Sequence, residues 1–314
     1  MPIDRHSKIG LLYGGLSRER DISLKTGAAL AKGLRTKGYS VEEIDVGHDV
    51  ASVLVAKNIQ VAVIALHGNF GEDGTIQGVL EYLRIPYTGT GVFGSAVAMN
   101  KCASKRIFRD QSIPTPKWLE VSHDITEDKL HDLIQNHIGF PCIAKPDAEG
   151  STLGLSKVKS FDEVAKAQKT ALDHSDVVLW EQYIDGKELT VGFLEDNPLP
   201  IVEIVPHGGL FDYEAKYTKG KTDYYCPARI SNEASKSAID IAVKAYKSLN
   251  IMSFGRVDII YDGHTPWVLE VNTIPGMTET SLLPKAALTK GIVFEDLAEK
   301  ILMGSCLKMG GKDA

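Results

Sequence analysis

The stretch Gly255–Pro284, GRVDIIYDGHTPWVLEVNTIPGMTETSLLP, constrains this chain more than any other. Gly255–Tyr261 and Trp267–Asn272 each alternate apolar and polar residues around the turn-rich Asp262-Gly263-His264-Thr265-Pro266. That alternation is the period of a half-buried strand. A hairpin centred on His264 pairs Val257 with Val271, Ile259 with Leu269 and Tyr261 with Trp267 on one apolar face. Its other face sets Asp258 against Glu270 and Arg256 against Asn272. Opposed Cβ atoms lie roughly 4.5–5.5 Å apart, and like charges there repel. Two carboxylates so placed, with an amide oxygen beside them, suit a hard divalent cation such as Mg2+. A solvated strand face could carry the same letters, but the opposed carboxylates and the NTIPGMT loop behind them favour a metal. Asp258, Glu270 and Asn272 are the candidate ligands.

The chain has 314 residues, 24% of them charged, 43% hydrophobic, with a net charge of −6. That length gives room for two or three domains with a sizeable core. The mild acidity and the lack of a basic stripe argue against nucleic acid as a partner. MPIDRHSK lacks the apolar core of a signal peptide, and no apolar run approaches the ~20 residues of a membrane span. Cys102, Cys142, Cys226 and Cys306 show no paired spacing, so reduced thiols and a cytoplasmic setting are expected.

Along the chain, strands at Lys8–Tyr13, Val41–Val46 and Gln60–Leu66 alternate with helices, the first over Asp21–Lys37 with Ser17 or Asp21 as cap. Such alternation predicts right-handed crossovers and a parallel sheet, whose ligands sit beyond the carboxyl ends of the strands. Loops 14–20 and 67–74 occupy such ends. Glu19 in the first could hold a substrate ammonium, or could simply be solvated. Helices are expected over Thr75–Leu83, Phe93–Asp110 and Thr126–His137; Lys101 on the second would, by itself, be a surface lysine. The strand Phe140–Lys145 runs into PDAEGSTLG, a Gly- and hydroxyl-bearing loop that can offer backbone N–H groups to phosphate as a mobile lid. Lys145 would add a point charge there. Strands follow at Val177–Gln182 and Glu188–Leu194, and Glu181, polar within an apolar run, needs a partner; a ribose hydroxyl or a lysine would serve equally. Residues 205–228, with Lys216 and Tyr217, have the look of a binding loop. Asn232–Leu249 is a helix whose apolar stripe belongs to the core, and Ser281–Leu288 and Val293–Met303 are the last two.

Together these residues resemble the D-alanine–D-alanine ligases, cytoplasmic ATP-grasp enzymes of bacterial cell-wall synthesis. The blocks that carry the resemblance are GGLSRERDISLKTG, ALHGNFGEDGTIQG, IPYTGTG, AKPDAEGSTLGLSKV, FDYEAKYTKGKTDYYCPA, GRVDIIYD and LEVNTIPGMTETSLLP, in the family's order across nearly the whole chain. The resemblance implies an α/β fold with α+β character in its C-terminal half: an N-terminal parallel-sheet domain (residues 1–95) and two domains, 96–184 and 185–314, clasping ATP. It implies two Mg2+ ions, with Mn2+ able to substitute, on Asp258, Glu270 and Asn272. Lys101, Lys145 and Lys216 would contact phosphates, and Glu181, Gln182, Tyr183, Ile184 and Glu188 would line the adenine and ribose site. Glu19 would pair with the ammonium of a first D-alanine, with His67 nearby and Ser151 and Tyr217 linked to Glu19. Arg256 and the Gly276 N–H would face the oxyanion, and Ser281 and Leu282 would receive the second D-alanine's carboxylate.

Two departures stand out: Asn100 where the family has Asp, and Ala148 where Arg is common. Tyr217 favours an amine as the second substrate; related ligases that take D-lactate carry histidine there. A D-serine or D-lactate ligase, or an inactive nucleotide- or D-amino-acid-binding sensor on the same fold, are the alternatives. A homodimer is expected, as is common in the family.

Overall fold

In the computed structural model, the described residues are 3–150, 153–209, 215–216, 218, 220–278 and 280–309. Ser151 and Tyr217 therefore lie outside the described residues. Three sheets organise the chain. β1 (Ile9–Tyr13), β2 (Val41–Asp45) and β3 (Val61–Ile64) form a parallel sheet in the order β2-β1-β3. Its connections are the helices α1 (Arg20–Thr36) and α2 (Val50–Ala56), and α3 (Thr75–Tyr82) follows β3. The near-continuous apolar strands IGLLY and VAVI are what a sheet covered on both faces requires.

β4 (Trp118–Ser122), β5 (Cys142–Pro146), β6 (Ser156–Val158) and β7 (Val177–Gln182) make an antiparallel sheet in the order β4-β7-β5-β6. The third sheet takes β8 (Lys187–Leu194), β9 (Asn197–Pro198), β10 (Val202–Pro206), β11 (Thr222–Tyr225), β12 (Phe254–Tyr261) and β13 (Pro266–Asn272) along the path β11-β10-β8-β12-β13, with β9 on β8. The helix Asn232–Ser248 covers this sheet through Ala238, Ala242 and Ala245, with Leu249 just after it; of the stripe Ala234, Ala238, Ile241, Ala245 and Leu249 expected from the sequence, Ile241 is only partly buried and Ala242 takes part instead. The last helices, Leu282–Thr289 and Phe294–Met303, turn back onto the first sheet, where Leu283, Ala287 and Leu302 share a core with Leu11, Leu34 and Val63. Among the described residues no helix is long and apolar enough to cross a membrane.

Two sequence expectations need correction. The single helix over Phe93–Asp110 is two, Val92–Met99 and Lys101–Asp110, broken at Asn100. Asn100 is extended (φ −86°, ψ 102°), and its side-chain oxygen accepts from Ala103 N at 2.7 Å, the ordinary chemistry of an N-cap. Its amide nitrogen donates to Asp147 Oδ2 at 2.5 Å. An aspartate at position 100 would face Asp147 as a second carboxylate, so the departure at Asn100 fits its neighbour. The hairpin register holds for Arg256/Asn272, Val257/Val271 and Asp258/Glu270, then shifts, so that Ile259 pairs with Val268 and Ile260 with Trp267. A β-bulge at Leu269 takes up the extra residue. Ile259 and Val268 are fully buried, whereas Leu269 leaves the apolar face and lines a cleft beside Glu270.

A smaller correction concerns the first helix. Neither Ser17 nor Asp21 caps it; Glu19 holds the cap position, while the Ser17 hydroxyl donates to His67 O at 2.6 Å.

Candidate active site

The cleft lies between the second and third sheets. From the second come Ile143 and Lys145 at the end of β5 and Glu181, Gln182, Tyr183 and Ile184 at the end of β7. From the third come Glu188, Asp258, Ile260, Leu269 and Glu270, and Lys101 and Lys216 close the ends. Every described residue assigned to nucleotide is thus gathered in one place, with two of the three assigned to metal. Ile143, Leu153, Leu155, Ile184, Ile260 and Leu269 give the cleft apolar walls, so the bulge at Leu269 supplies a surface that an unbroken alternation would have buried.

Its charges are closely matched. Glu181 is 3% exposed; its Oε1 lies 2.6 Å from Lys145 Nζ and its Oε2 2.9 Å from Lys105 Nζ. Of the two partners the sequence left open for Glu181, the lysine is present. Burial alone would raise the Glu181 carboxyl, but Lys105 and Lys145 hold it down at about 2. Burial opposes the Lys145 ammonium, yet Glu181 and Glu270 lift its pKa above the ordinary value. Glu270 sits 3.6 Å from Lys101 Nζ. Burial disfavours its charge, but Lys101, Lys145, Lys216 and Arg256 keep it ionised down to about 2. Glu188 behaves oppositely: burial, with Asp258 and Glu270 close by, pushes its carboxyl up to about 8 against the pull of Lys216.

Asp258 is the most heavily hydrogen-bonded acid of the site. Its Oδ1 accepts from Arg256 Nε at 2.8 Å and Thr190 Oγ1 at 2.6 Å; its Oδ2 accepts from Arg256 Nη2 at 2.9 Å and Asn272 Nδ2 at 3.0 Å. Arg256 is therefore anchored by Asp258, two residues on, as well as facing Asn272 across the hairpin. With the Asn272 amide nitrogen turned to Asp258, its Oδ1 remains as an acceptor. Among the described residues no group of three or more His, Cys, Asp or Glu could hold a metal by itself. Two carboxylates and an amide oxygen nevertheless fit Mg2+, which is commonly held by one or two carboxylates with substrate phosphates and water completing its octahedron. A zinc-like thiolate or imidazole set is not what these residues offer.

Beside this cleft, against the first sheet, lies a cluster of buried ionisable groups. Glu19 is 6% exposed at the start of α1, and Gly150 of the 146–154 loop packs against its carboxylate so closely that any Cβ there would overlap it. Gly68 approaches from the other side with φ +68°, and a Cβ would come within 2.6 Å of Glu19 Oε2. His67, also 6% exposed, has Nε2 2.9 Å from Thr26 Oγ1 and Nδ1 4.0 Å from Glu72 Oε2. Glu72 Oε2 accepts from Gly68 N at 2.7 Å. Burial, helped by the Arg256 charge, lowers the imidazole to about 4, and burial, helped by the Glu19 charge, raises the Glu72 carboxyl to about 8. Burial therefore favours the uncharged form of both groups. The Arg256 charge lowers the pKa of His67, Glu72, Glu188 and Glu270, so this guanidinium influences groups of both the cluster and the cleft.

Ile274, just past the hairpin, brings its backbone to both His67 and Glu72. Beyond it the loop turns on itself: Ser281 Oγ accepts from Thr278 N at 3.0 Å and lies 2.8 Å from Thr278 Oγ1. A Cβ at Gly276 would come to 3.1 Å from that Oγ. Ser281 caps the helix position without a side-chain bond, and Leu282 opens the helix, 8% exposed. First-turn N–H groups of a helix suit a carboxylate.

Three residues of the site were not singled out in the sequence. Glu72 sits in the GNFGEDG loop, where Asp73 offers an equally good acid. Lys105 follows Lys101 by four positions, a spacing that puts both on one helix face. Asp147, 3% exposed, accepts from Cys102 N at 2.7 Å, and its carbonyl accepts from Lys101 N at 3.2 Å, which fixes the helix carrying Lys101 to the end of β5.

Comparison with known proteins agrees with this geometry. A family model described as D-ala D-ala ligase C-terminus matches residues 107–303, and one described as D-ala D-ala ligase N-terminus matches residues 49–90. A D-alanine–D-alanine ligase of Magnetococcus marinus is 45% identical over 307 residues, covering 97% of this chain and 99% of that protein. One of Carboxydothermus hydrogenoformans is 46% identical over 303 residues, covering 94% and 97%. Among solved structures, the Bacillus anthracis D-alanine–D-alanine ligase complexed with ATP superposes with a TM-score of 0.83 at 33% identity, over 95% of this chain and 97% of that one. A D-Ala:D-Ser ligase of Enterococcus faecalis reaches 0.81 at 28% identity, over 94% and 98%. With its three sheets, its cleft between the second and third, and these relatives along nearly its whole length, the chain belongs to the D-alanine–D-alanine ligase family and has the ATP-grasp fold.

Proposed function

We propose that the protein joins two D-alanine molecules into D-alanyl-D-alanine at the expense of ATP, forming ADP and phosphate, for peptidoglycan precursor synthesis. The observation that carries it is the convergence on Arg256 of a lysine-rich cleft and a buried cluster of Glu19, His67 and Glu72. ATP lies in the cleft, its base between apolar walls and its phosphates toward Lys101, Lys145 and Lys216. The three-way division 1–95, 96–184 and 185–314 suits this arrangement, since each sheet falls within one part. Asp258, Glu270 and Asn272 hold Mg2+, two ions, which when bound supplies positive charge to the triphosphate. Mn2+ is an acceptable substitute for such an oxygen set.

The γ-phosphoryl passes to the carboxylate of the first D-alanine, whose ammonium rests on Glu19. Burial disfavours charge on His67 and Glu72, which suits an ammonium resting on Glu19 rather than on its neighbours. The amine of the second D-alanine, its carboxylate held by Ser281 and the first turn at Leu282, attacks the acyl phosphate. Arg256, fixed by Asp258, and the Gly276 N–H stabilise the oxyanion, and phosphate leaves. Ser151 and Tyr217 complete the Glu19 set from the two loops. An acyl phosphate must be kept from water, which suits the close fit of Gly150 over Glu19. The enzyme acts in the cytoplasm as a homodimer, checked by sedimentation of the purified protein.

Purified protein is mixed with ATP and Mg2+, and phosphate release is followed with and without D-alanine. Release that depends on both D-alanine and Mg2+ is expected. Tight binding of ATP and D-alanine without phosphate release would make the chain a sensor instead.

A further inference from the structure

We propose that Lys105 is a positioning residue of the nucleotide site, holding Glu181 so that the Lys145 ammonium stays available to a phosphate. The proposal rests on the cleft being the ATP site. Lys105 is fully buried, and it stands behind Glu181 rather than in the cleft lining. A buried ammonium carries a desolvation cost of several kcal/mol, so a fold that keeps one must surround it with partners. Here Nζ lies 2.9 Å from Glu181 Oε2 and donates to Thr115 Oγ1 at 2.6 Å. Thr115 Oγ1 donates in turn to Val268 O at 2.8 Å, on the strand that bears Glu270. The Trp118 ring lies 5.9 Å from the ammonium, within cation–π reach. Lys105 is thus fixed to both sheets that form the cleft.

The charge count gives this arrangement its meaning. Lys145 Nζ is 2.6 Å from Glu181 Oε1, close enough for a buried one-to-one ion pair. Left alone, that pair would be neutral, and a phosphate would have to compete with Glu181 for the lysine. Burial lowers the Lys105 pKa while Glu181 raises it, and as an ammonium on the other carboxylate oxygen Lys105 sets two cations against Glu181, with Glu270 acting on Lys145 from the metal side. Lys105, walled off behind Glu181, cannot reach the ligand; Lys145, lining the cleft, can. A phosphate oxygen arriving at Lys145 completes the neutralisation that the protein leaves unfinished, so the charge of a residue outside the cleft is felt as affinity inside it.

The test is calorimetric titration of the full chain with ATP, ADP and adenosine, for wild type, Lys105→Met and the double variant Lys105→Met/Glu181→Gln. The single variant should weaken ATP and ADP about tenfold while adenosine binds as before. The double variant frees Lys145 again and should bring the ratio of ADP to adenosine affinity back to within about threefold of wild type. A side chain that merely stabilises the fold would lower all three ligands together, and the double variant would bind no better than the single. Either of those results, or a single variant that binds ADP like wild type, overturns the proposal. If Lys105→Met does not fold, the double variant, which removes the buried carboxylate together with the buried ammonium behind it, decides by the same ratio: a tenfold drop overturns it. Wild-type protein that binds no nucleotide would remove the ATP site itself, and the proposal with it.

Discussion

The cleft and the Glu19–His67–Glu72 cluster beside it treat buried ionisable groups in opposite ways. In the cleft, Glu181 and Glu270 stay ionised down to about 2 because lysines outweigh the cost of burial. In the cluster, His67 falls to about 4 and Glu72 rises to about 8, so burial outweighs the neighbouring charges and favours the uncharged forms. One region keeps a set of fixed charges, the field the proposed triphosphate and metal would need. The other disfavours charge on the neighbours of Glu19, the carboxylate proposed to meet the substrate ammonium. Glu188 marks the boundary, lying in the cleft yet raised to about 8 by burial and its acidic neighbours.

The largest effect is expected where the charged region is broken. Glu270→Gln should abolish turnover, by more than about a thousandfold, because it removes a metal ligand and unbalances Lys101 together; thermal unfolding should show an intact fold. Near-normal phosphate release would break the metal assignment. Arg256→Met should lower the rate about 100- to 1,000-fold, the usual consequence of losing one oxyanion donor. A loss confined to the KM for ATP would instead assign the guanidinium to the cleft alone.

The smallest effect sharpens the neutral side. The Glu72 pKa of about 8 lies above its ordinary 4.5, so the folded state binds the proton more tightly than the unfolded chain. Its contribution to stability is complete below about 4.5 and is lost as pH rises through about 8. Glu72→Gln cannot titrate, so wild type should lose stability relative to this variant by about 1 kcal/mol or more between those limits. Parallel stability curves, measured by denaturant unfolding across that range, would show that Glu72 is charged throughout.

Much of this was legible in the sequence, and the reasons are local. Alternation along Arg256–Asp258 and Glu270–Asn272 placed the ligands on one face, because strand period depends only on neighbours. The bulge at Leu269 was not legible, since one extra residue leaves the apolar–polar pattern nearly intact. Asn100 was a readable helix cap passed over within a run of helix-forming residues. Lys105 and Glu72 were hidden for another reason: what distinguishes each from a surface charge is a partner about 80 and 50 residues away in sequence, Glu181 and Glu19, brought near only by tertiary packing. The binding roles of Ser281 and Leu282 are carried by the family resemblance, because their observed bonds and packing, Ser281 to Thr278 and Leu282 in the core, are local to the structure.

The central claim is that the two regions together make one bond between two D-alanines. Its most direct test is the mass of the product formed from ATP, Mg2+ and an equal mixture of D-alanine, D-serine and D-lactate. D-Alanyl-D-alanine as the dominant product is the predicted result. A D-alanyl-D-serine or D-alanyl-D-lactate product in its place, or ATP consumed with no dipeptide formed, would contradict it.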